Sequence, residues 1–268
     1  MRIGLAARAD VPGRVAVARR IIRSIGKRAD VILSPGIAKR LKRKGTPLEK
    51  MEVDALVTVG GDGTILYAMQ RSHAPILGVN MGELGFLTEV ERKEVPQSIR
   101  RLIAGDFFVE ERLRLAVFVN GKEYPPAINE AVVRTAKTSK LLHLSVRVDG
   151  NEIERFRADG VILATPTGST SYSMSAGGPL MDPSVDAILM TPLAAFRLNA
   201  KPYVLSSSSR LETRLLSPEK EALLVLDGQL EERISHSDRL VFTGASQPAR
   251  FIRFRHSFYE RLKERLVP

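Results

Sequence analysis

The turn GGDGT at residues 60–64 joins an apolar, β-branched stretch to an amphipathic one. This order predicts a buried strand, a tight turn and a helix. Glycines at the carboxyl end of a parallel strand let backbone N–H groups approach a phosphate. Asp62 would repel that phosphate unless it holds a metal ion or accepts a proton from an attacking hydroxyl. The alternative is that the glycines only shape the turn while Asp62 caps the helix.

A second polar stretch, residues 165–175, follows the apolar residues 161–164. It carries hydroxyl groups and Gly168, and it leads into a short predicted helix whose first turn contains Thr170 and Ser171. Free N–H groups at such a helix start bind polar ligand atoms well. A Ser/Thr-rich cap and loop would have the same composition.

Two shorter elements also have side chains that suit a nucleoside. Asn129 and Glu130 open a predicted strand, where an amide can bond a base and a carboxylate can bond ribose hydroxyls. A dipeptide alone carries little weight, so a purely structural role stays open. The sequence DGQ at residues 227–229 predicts a hairpin turn, from which Gln229 can face a ligand.

Composition limits the available chemistry. The chain of 268 residues has no cysteine, which excludes disulfides, thiolate metal sites and a cysteine nucleophile. Its four histidines lack the spacing of metal ligands, so the residues that would bind a metal are unknown. A P-loop motif is absent, as is a G-x-G-x-x-G motif after the first predicted strand. Hydride transfer is therefore not expected, and a bound triphosphate would need backbone amides and a metal ion.

The net charge of +11 raises the question of nucleic acid binding. The basic residues are spread over several segments, there is no Trp, and aromatic residues make up 6%. Helix-turn-helix, zinc and RNA-recognition signatures are absent, so we expect a polyanionic small substrate and no nucleic acid partner. The chain has no apolar run near the roughly 20 residues of a membrane span, and residues 1–6 resemble a strand more than a signal peptide. We therefore expect a soluble, cytoplasmic protein without a membrane partner.

The hydrophobic pattern divides the chain into two regions. Strands and helices alternate over the first ninety or so residues, which predicts a parallel sheet with right-handed crossovers. From Arg112 onward, alternating and β-branched runs predict a mostly antiparallel domain. Dipeptides that favour hairpin turns separate these runs: Asn120-Gly121, Asp149-Gly150 and Asp227-Gly228. A closing helix is predicted within residues 256–268, packed on either domain.

In order and spacing, four elements together resemble the NAD kinase family. They are the turn GGDGT at residues 60–64, the glycine-punctuated turn at residues 78–88, the pair Asn129-Glu130, and residues 159–179. The resemblance covers nearly the whole chain, including residues 227–229. The GGDGT turn alone is shared with diacylglycerol kinases, sphingosine kinases and phosphofructokinases, whereas residues 159–179 are far more specific.

The resemblance implies transfer of the γ-phosphate of ATP, or of polyphosphate, to the adenosine 2′-hydroxyl of NAD, giving NADP. It implies Mg²⁺ or another divalent metal as cofactor and a homo-oligomer, either a dimer or a tetramer. It also implies an α/β + β fold. Residues 1–100 would form a Rossmann-like α/β domain, residues 101–255 a β-rich, two-sheet, mostly antiparallel domain that binds NAD, and residues 256–268 a helix that can pack back on the first domain.

Some site residues are implied by the first domain of the family. Asp62 corresponds to the catalytic carboxylate beside the reacting ribose hydroxyl. Gly61 and Gly63 would lie beside the phosphates. Phe86 and Leu87 would border the adenosine pocket.

The remaining implied site residues belong to the second domain. Those that would contact NAD directly are Asn129, Glu130, Thr167, Thr170, Ser171, Tyr172 and Ser175. Arg157 and Asp159 match positions on the nicotinamide side, and Ala194 lies where a neighbouring loop completes the pocket. Gln229 occupies a position that varies in the family.

Two other functions stay open from the residues themselves. A lipid or sugar kinase could use the same glycine-aspartate turn, although the hydroxyl-rich residues 165–175 favour a nucleoside. A non-catalytic nucleotide sensor, or a basic nucleic acid binder, would explain the net charge. Either would leave Asp62 beside a phosphate site without a purpose.

Overall fold

The computed structural model describes residues 1–82, 85–137, 140–196, 200–256 and 258–266. Two turn residues within the predicted 78–88 element, Glu83 and Leu84, and Ser257 in the predicted closing helix lie outside the described residues. The chain divides into two compact units, Met1–Glu111 together with Ala249–Pro268, and Arg112–Pro248. The first unit thus includes residues 101–111 and 249–255, which the sequence-based division gave to the second domain.

The first chain segment alternates strands and helices, as the sequence predicts. Its strands are β1 (Arg2–Ala7), β2 (Asp30–Leu33), β3 (Ala55–Gly60), β4 (Ile76–Asn80) and β5 (Phe108–Arg112). Its helices are α1 (Arg14–Ile25), α2 (Pro35–Arg40), α3 (Asp62–Met69) and α4 (Val95–Ala104). Strand β1 pairs in parallel with β2 and β3, and β3 pairs in parallel with β4. The prediction of a parallel sheet is confirmed.

The central strand β3 is buried along its whole length. Both faces of a parallel sheet are covered by helices, which is why such a strand reads as a continuous apolar run. Val57 and Val59 pack in one core cluster with apolar residues of α1 and α4. This well-packed strand therefore places the glycine turn at the carboxyl edge of the sheet.

The second unit consists almost entirely of strands. They are β6 (Leu115–Val119), β7 (Lys122–Ala127), β8 (Glu130–Thr135), β9 (Leu142–Val148), β10 (Asn151–Ala158), β11 (Gly160–Ala164), β12 (Ala187–Leu193), β13 (Tyr203–Ser206), β14 (Leu211–Leu215), β15 (Ala222–Leu226), β16 (Leu230–Ile234) and β17 (Leu240–Gly244). A 3₁₀ turn (Thr167–Thr170) and the short helix α5 (Tyr172–Ser175) follow β11. The strands form two six-stranded antiparallel sheets, ordered β10-β9-β14-β17-β6-β7 and β13-β12-β11-β8-β15-β16. The predicted α/β + β fold with a two-sheet second domain is confirmed.

All three predicted hairpin dipeptides lie in tight turns. They join β6 to β7, β9 to β10 and β15 to β16. In each dipeptide both residues have positive φ, between 50° and 86°. Such turns match the right-handed twist of the flanking strands, which explains the preference for Asn-Gly and Asp-Gly.

After the second unit the chain returns to the first sheet. Strand β18 (Ala249–Arg253) pairs in parallel with β4, giving the order β2-β1-β3-β4-β18-β5. The sequence-based assignment did not include β18. Helix α6 (Phe258–Leu266) follows, and Arg261 on it donates to the carbonyl of Phe86. Within the described part of the chain, every helix is too short or too polar to cross a bilayer.

Candidate active site

The Asp62 carboxylate binds a neighbouring loop and does not cap its own helix. Asp62 is the first residue of α3, and the N-cap of this helix is Gly61. Backbone N–H groups donate to it from Phe86 (2.8 Å to Oδ2), Leu87 (3.1 Å to Oδ1) and Thr88 (3.3 Å to Oδ1). The structure thus brings together the predicted residues Asp62, Phe86 and Leu87.

Among the described residues, these three donors leave the carboxylate with one acceptor position. An ionised carboxyl group offers about four lone-pair directions. Leu87 and Thr88 use two on Oδ1, and Phe86 uses one on Oδ2. With the donors that the structure describes, one direction on Oδ2 remains for a further donor. Because Asp62 is only half-buried, a hydroxyl from solvent or a ligand is a physically reasonable occupant.

The glycines around Asp62 differ in what requires them. A Cβ on Gly60 would lie 2.1 Å from the Thr64 hydroxyl oxygen, so packing within the turn excludes a side chain there. A Cβ on Gly61 or Gly63 would meet no heavy atom within 4 Å. Gly61 also has an extended backbone (φ −100°) that any residue adopts. At these two positions, neither packing nor the Gly61 backbone explains the absence of a side chain.

In the second unit, three separate sequence elements meet at one edge of a sheet. Glu130, the first residue of β8, pairs with Ala164 at the end of β11. Ala131 in turn pairs with Leu226 at the end of β15. The register therefore places Asn129-Glu130, residues 165–175 and the turn at Asp227 side by side. We call this group the sheet-edge cluster.

Asp227 fixes the backbone at the start of β8. Its carboxylate accepts N–H bonds from Ile128 (2.8 Å), Asn129 (2.8 Å) and Glu130 (3.1 Å). Only 5% of the residue is exposed. The sequence predicts Asp227 as a turn residue and gives no sign of this second role, because its partners lie about a hundred residues earlier in the chain.

Glu130 is the electrostatically unusual residue of the cluster. It is 7% exposed, its Oε1 accepts the Ser171 hydroxyl at 3.3 Å, and its Oε2 is buried without a hydrogen-bond partner among the described residues. Burial, and then the nearby charge of Asp227, raise the pKa of Glu130 to about 7. Hydrogen bonds from the Ser171 hydroxyl and the Tyr172 N–H act in the opposite direction.

The turn after β11 packs directly on the backbone of Asn129. The Thr165 hydroxyl donates to the Ile128 carbonyl at 2.6 Å and accepts the Gly168 N–H at 3.2 Å. A Cβ on Gly168 would lie 2.1 Å from the Asn129 carbonyl oxygen, so only glycine fits. The Thr167 hydroxyl is buried and, among the described residues, has no hydrogen-bond partner. The cluster therefore contains two buried polar oxygens, Thr167 Oγ1 and Glu130 Oε2, that have no hydrogen-bond partner in the described part of the chain.

The other predicted residues of this turn are more exposed. Thr170 is half-buried and its hydroxyl donates to the Thr167 carbonyl at 3.2 Å. Tyr172 and Ser175 on α5 are exposed. Gln229 is exposed in the β15–β16 turn, where its N–H donates to Leu226.

Three predicted residues lie away from the cluster. Asp159 and Ala194 lie next to the paired residues Gly160 and Leu193. This pair is at the start of β11, whereas Ala164 is at its other end. Arg157 precedes them on β10, with its guanidinium 5.8 Å from the Phe196 ring centroid. With a rise of about 3.3 Å per strand residue, Asp159 and Thr165 are roughly 20 Å apart along β11. Their predicted role on the nicotinamide side stays a prediction.

Among the described residues there is no group of three or more His, Asp or Glu side chains that could hold a metal ion. Mg²⁺ commonly binds one or two carboxylates and takes its other ligands from water and substrate phosphates. Without an all-protein cage among the described residues, a bound Mg²⁺ would take most of its ligands from water and substrate phosphates. The metal-binding residues stay unidentified.

A parallel α/β sheet with a glycine-aspartate turn at its carboxyl edge, in a chain that also has a β-rich unit with a polar sheet-edge cluster, fits the class of phosphotransferases expected from the sequence. Family models bear this out. The ATP-NAD kinase N-terminal domain matches residues 5–107, and the ATP-NAD kinase C-terminal domain matches residues 128–254. The chain belongs to the NAD kinase family. Members of this family use ATP and NAD as substrates, and the NAD kinase function predicted from the sequence is confirmed.

Curated relatives support the assignment over the whole chain. The NAD kinase of Methanothermobacter thermautotrophicus is 41% identical over 275 aligned positions, covering 100% of this chain and 96% of the relative. The NAD kinase of Thermoplasma volcanium is 38% identical, covering 100% and 98%. Neither a lipid kinase nor a sugar kinase is supported.

Solved structures agree with the fold. Yeast NADH kinase complexed with NADH superimposes with a TM-score of 0.91 at 26% identity, covering 100% of this chain and 87% of the yeast chain. An NAD kinase from Archaeoglobus fulgidus in complex with ATP superimposes with a TM-score of 0.80 at 29% identity, covering 99% and 97%.

Proposed function

We propose that Asp62 orients the adenosine 2′-hydroxyl of NAD and accepts its proton as the bond to the γ-phosphorus of ATP forms. A ribose hydroxyl is a poor nucleophile at neutral pH. A carboxylate within hydrogen-bond reach can orient the hydroxyl and accept its proton. The open acceptor position on Oδ2 suits this role, because three N–H donors hold the rest of the carboxylate in place.

The phosphates of the donor would contact the backbone of residues 61–63 at the start of α3. The N–H groups there lack partners within the helix, and the helix dipole favours negative charge. The open space around a virtual Cβ at Gly61 and Gly63 supports this proposal, since a phosphate needs the room that a side chain would take. Bound Mg²⁺ would supply neutralisation of the phosphate charge.

The sheet-edge cluster would bind the nucleoside part of NAD. The observation that carries this proposal is Glu130 Oε2, a buried carboxylate oxygen without a hydrogen-bond partner among the described residues. Leaving such an oxygen unsatisfied costs free energy, and ribose hydroxyls would satisfy it. Asn129, Thr167, Thr170, Ser171, Tyr172 and Ser175 would supply the surrounding polar contacts.

Other features rest on the family. Yeast NADH kinase is complexed with NADH and the Archaeoglobus enzyme with ATP, and we extend both kinds of ligand to this chain. Roles of Phe86 and Leu87 beside the adenosine, and of Arg157, Asp159, Ala194 and Gln229 elsewhere on NAD, are part of the proposal. So are the use of Mg²⁺, a homo-oligomeric state and a cytoplasmic location.

The test is a steady-state assay with NAD, ATP and Mg²⁺ in which NADP is measured by an NADP-specific dehydrogenase. Asp62→Asn should lower kcat by roughly two orders of magnitude with the fold intact by circular dichroism. Near-normal turnover would remove Asp62 from the mechanism. Glu130→Gln should raise KM for NAD more than KM for ATP. Equal effects on both would show that Glu130 is not a dinucleotide contact.

A further inference from the structure

The loop that holds Asp62 is itself held from its other side by the C-terminal segment. The peptide group between Phe86 and Leu87 makes two hydrogen bonds. Its N–H donates to Asp62 Oδ1 at 3.1 Å, and its carbonyl accepts Nη1 of Arg261 at 3.1 Å. One peptide group therefore connects a guanidinium on α6 to the carboxylate on α3.

The next peptide group repeats this arrangement. The N–H of Thr88 donates to Asp62 Oδ1 at 3.3 Å, while the Leu87 carbonyl in the same peptide accepts Nη1 of Arg253 at 2.9 Å. The Thr88 carbonyl accepts a second bond from Arg261. Two consecutive peptide groups thus link Asp62 Oδ1 to two different arginines.

Two carboxylates hold the two arginines in place, the buried Glu89 and the half-buried Glu110. Glu89 Oε2 contacts Nη2 of Arg261 at 2.7 Å and Nη1 of Arg253 at 3.2 Å, while its Oε1 accepts the Phe254 N–H at 2.9 Å. Glu110 Oε2 contacts Nε of Arg253 at 2.7 Å. The side chains of Glu89, Arg253 and Arg261 are 1%, 4% and 7% exposed, so solvent screens these contacts little.

We propose that Arg261, together with Arg253, positions the Asp62 carboxylate for phosphoryl transfer. A charged donor on a carbonyl polarises the peptide and strengthens the N–H bond that the same peptide donates. The two hydrogen-bonded paths, one from each arginine through a peptide group, hold Asp62 Oδ1 in place. They thereby also set the direction of the free position on Oδ2. This inference rests on the proposed role of Asp62 and gives helix α6 a function in the reaction. Neither arginine is proposed to touch a substrate.

The experiment is a double-mutant cycle on the full chain with Arg261→Ala, Asp62→Asn and the combined variant. Lys263→Ala is the matched control, because Lys263 is exposed on the same helix. Arg261→Ala should lower kcat about 10- to 100-fold, the range expected when a reacting group is misplaced by about 1 Å. KM for NAD and for ATP should change less than about 2-fold. Lys263→Ala should leave all constants at the parent level.

The cycle separates positioning from general structural damage. If Arg261 acts through Asp62, Arg261→Ala should cause no further loss of kcat in the Asp62→Asn background. Full multiplication of the two losses would overturn the proposal, and so would parental kcat in Arg261→Ala. A parental kcat in Asp62→Asn would refute the proposed function itself, which is a different result.

A second variant covers the case in which Arg261→Ala does not fold. Arg261→Lys keeps a positive charge beside Glu89 but loses the planar group that reaches two carbonyls and a carboxylate at once. The same cycle with Arg261→Lys should again show a kcat loss that is absent in Asp62→Asn. Parental kcat in a folded Arg261→Lys would show that only charge is needed and would overturn the positioning role.

Discussion

Replacing Glu130 by glutamine should change how protein stability depends on pH. The pKa of Glu130 is about 7 in the folded protein, against 4.5 for an unperturbed glutamate. Between these values the folded state binds more protons than the unfolded state, so rising pH destabilises the fold. One pKa unit corresponds to about 1.4 kcal/mol of unfolding free energy, so above pH 8 the raised pKa of Glu130 lowers the free energy of unfolding by about 3 kcal/mol. Between pH 5 and pH 8 the expected loss is about 2.5 kcal/mol.

The assay is urea unfolding of the parent and of Glu130→Gln at pH 5, 6, 7 and 8, followed by circular dichroism. The glutamine cannot titrate, so the difference in unfolding free energy between the two proteins isolates the carboxyl group. That difference should shift by about 2.5 kcal/mol in favour of the variant as pH rises from 5 to 8. Glu219→Gln, which removes an exposed carboxyl of the same unit, measures the background effect of this exchange.

Two outcomes would refute this reasoning. A difference that stays constant from pH 5 to pH 8 would mean that Glu130 titrates alike in both states. A shift in favour of the parent would mean that folding stabilises the ionised form. Either would also weaken the proposed ligand role, because that role depends on a buried carboxylate that lacks partners until a ligand binds.

Two glycine substitutions test the geometry of each unit. Gly85→Ala would bring a Cβ within 2.0 Å of Asp62 Oδ1, so the carboxylate must move, and kcat should fall about 10-fold or more at nearly unchanged KM for NAD. Unchanged kcat would contradict the Asp62 geometry. Gly168→Ala would bring a Cβ within 2.1 Å of the Asn129 carbonyl oxygen, so steady-state kinetics should show a raised KM for NAD. The control Gly150→Ala strains the β9–β10 turn (φ 86°), which belongs to the other sheet of the second unit, and should lower the melting temperature with unchanged kinetic constants.

Local signals in the sequence were enough to predict much of the fold. The continuous apolar run of β3 indicates a strand covered on both faces. The Asn-Gly and Asp-Gly dipeptides indicate hairpins because both residues must adopt positive φ. In each case the sequence contains a residue type that the local backbone needs.

Elements that depend on distant partners were harder to predict. Strand β18 is five residues long and its sequence ARFIR does not alternate, and its place next to β4 is set by pairing of Phe251 with Ile76. Strand β7 contains two prolines, which argue against a strand. Both prolines are tolerated because β7 lies at the edge of its sheet and its register with β6 shifts between the pairs Leu115–Ala127 and Val117–Tyr124, a bulge that spans the prolines.

The site shows the same limit. Its residues could be selected by resemblance to a family, but their contacts could not. The hydrogen bonds that residues 128–130 donate to Asp227, and that Arg261 donates to Phe86, join segments far apart in the chain. No pattern within either segment specifies the other, so the supporting residues of the site became visible only in the structure.

Asp62 of the first unit and Glu130 of the second unit have opposite electrostatic environments. Asp62 accepts three backbone N–H bonds and is backed by two arginines, which suits a group that must keep one orientation while it receives a proton. Glu130 has an oxygen without a partner among the described residues, beside a second carboxylate that disfavours its charge. Folding gains nothing from that arrangement. A ligand that donates hydroxyl hydrogens would satisfy that oxygen, and the pH dependence of stability tests whether the carboxyl group has the environment that this role requires.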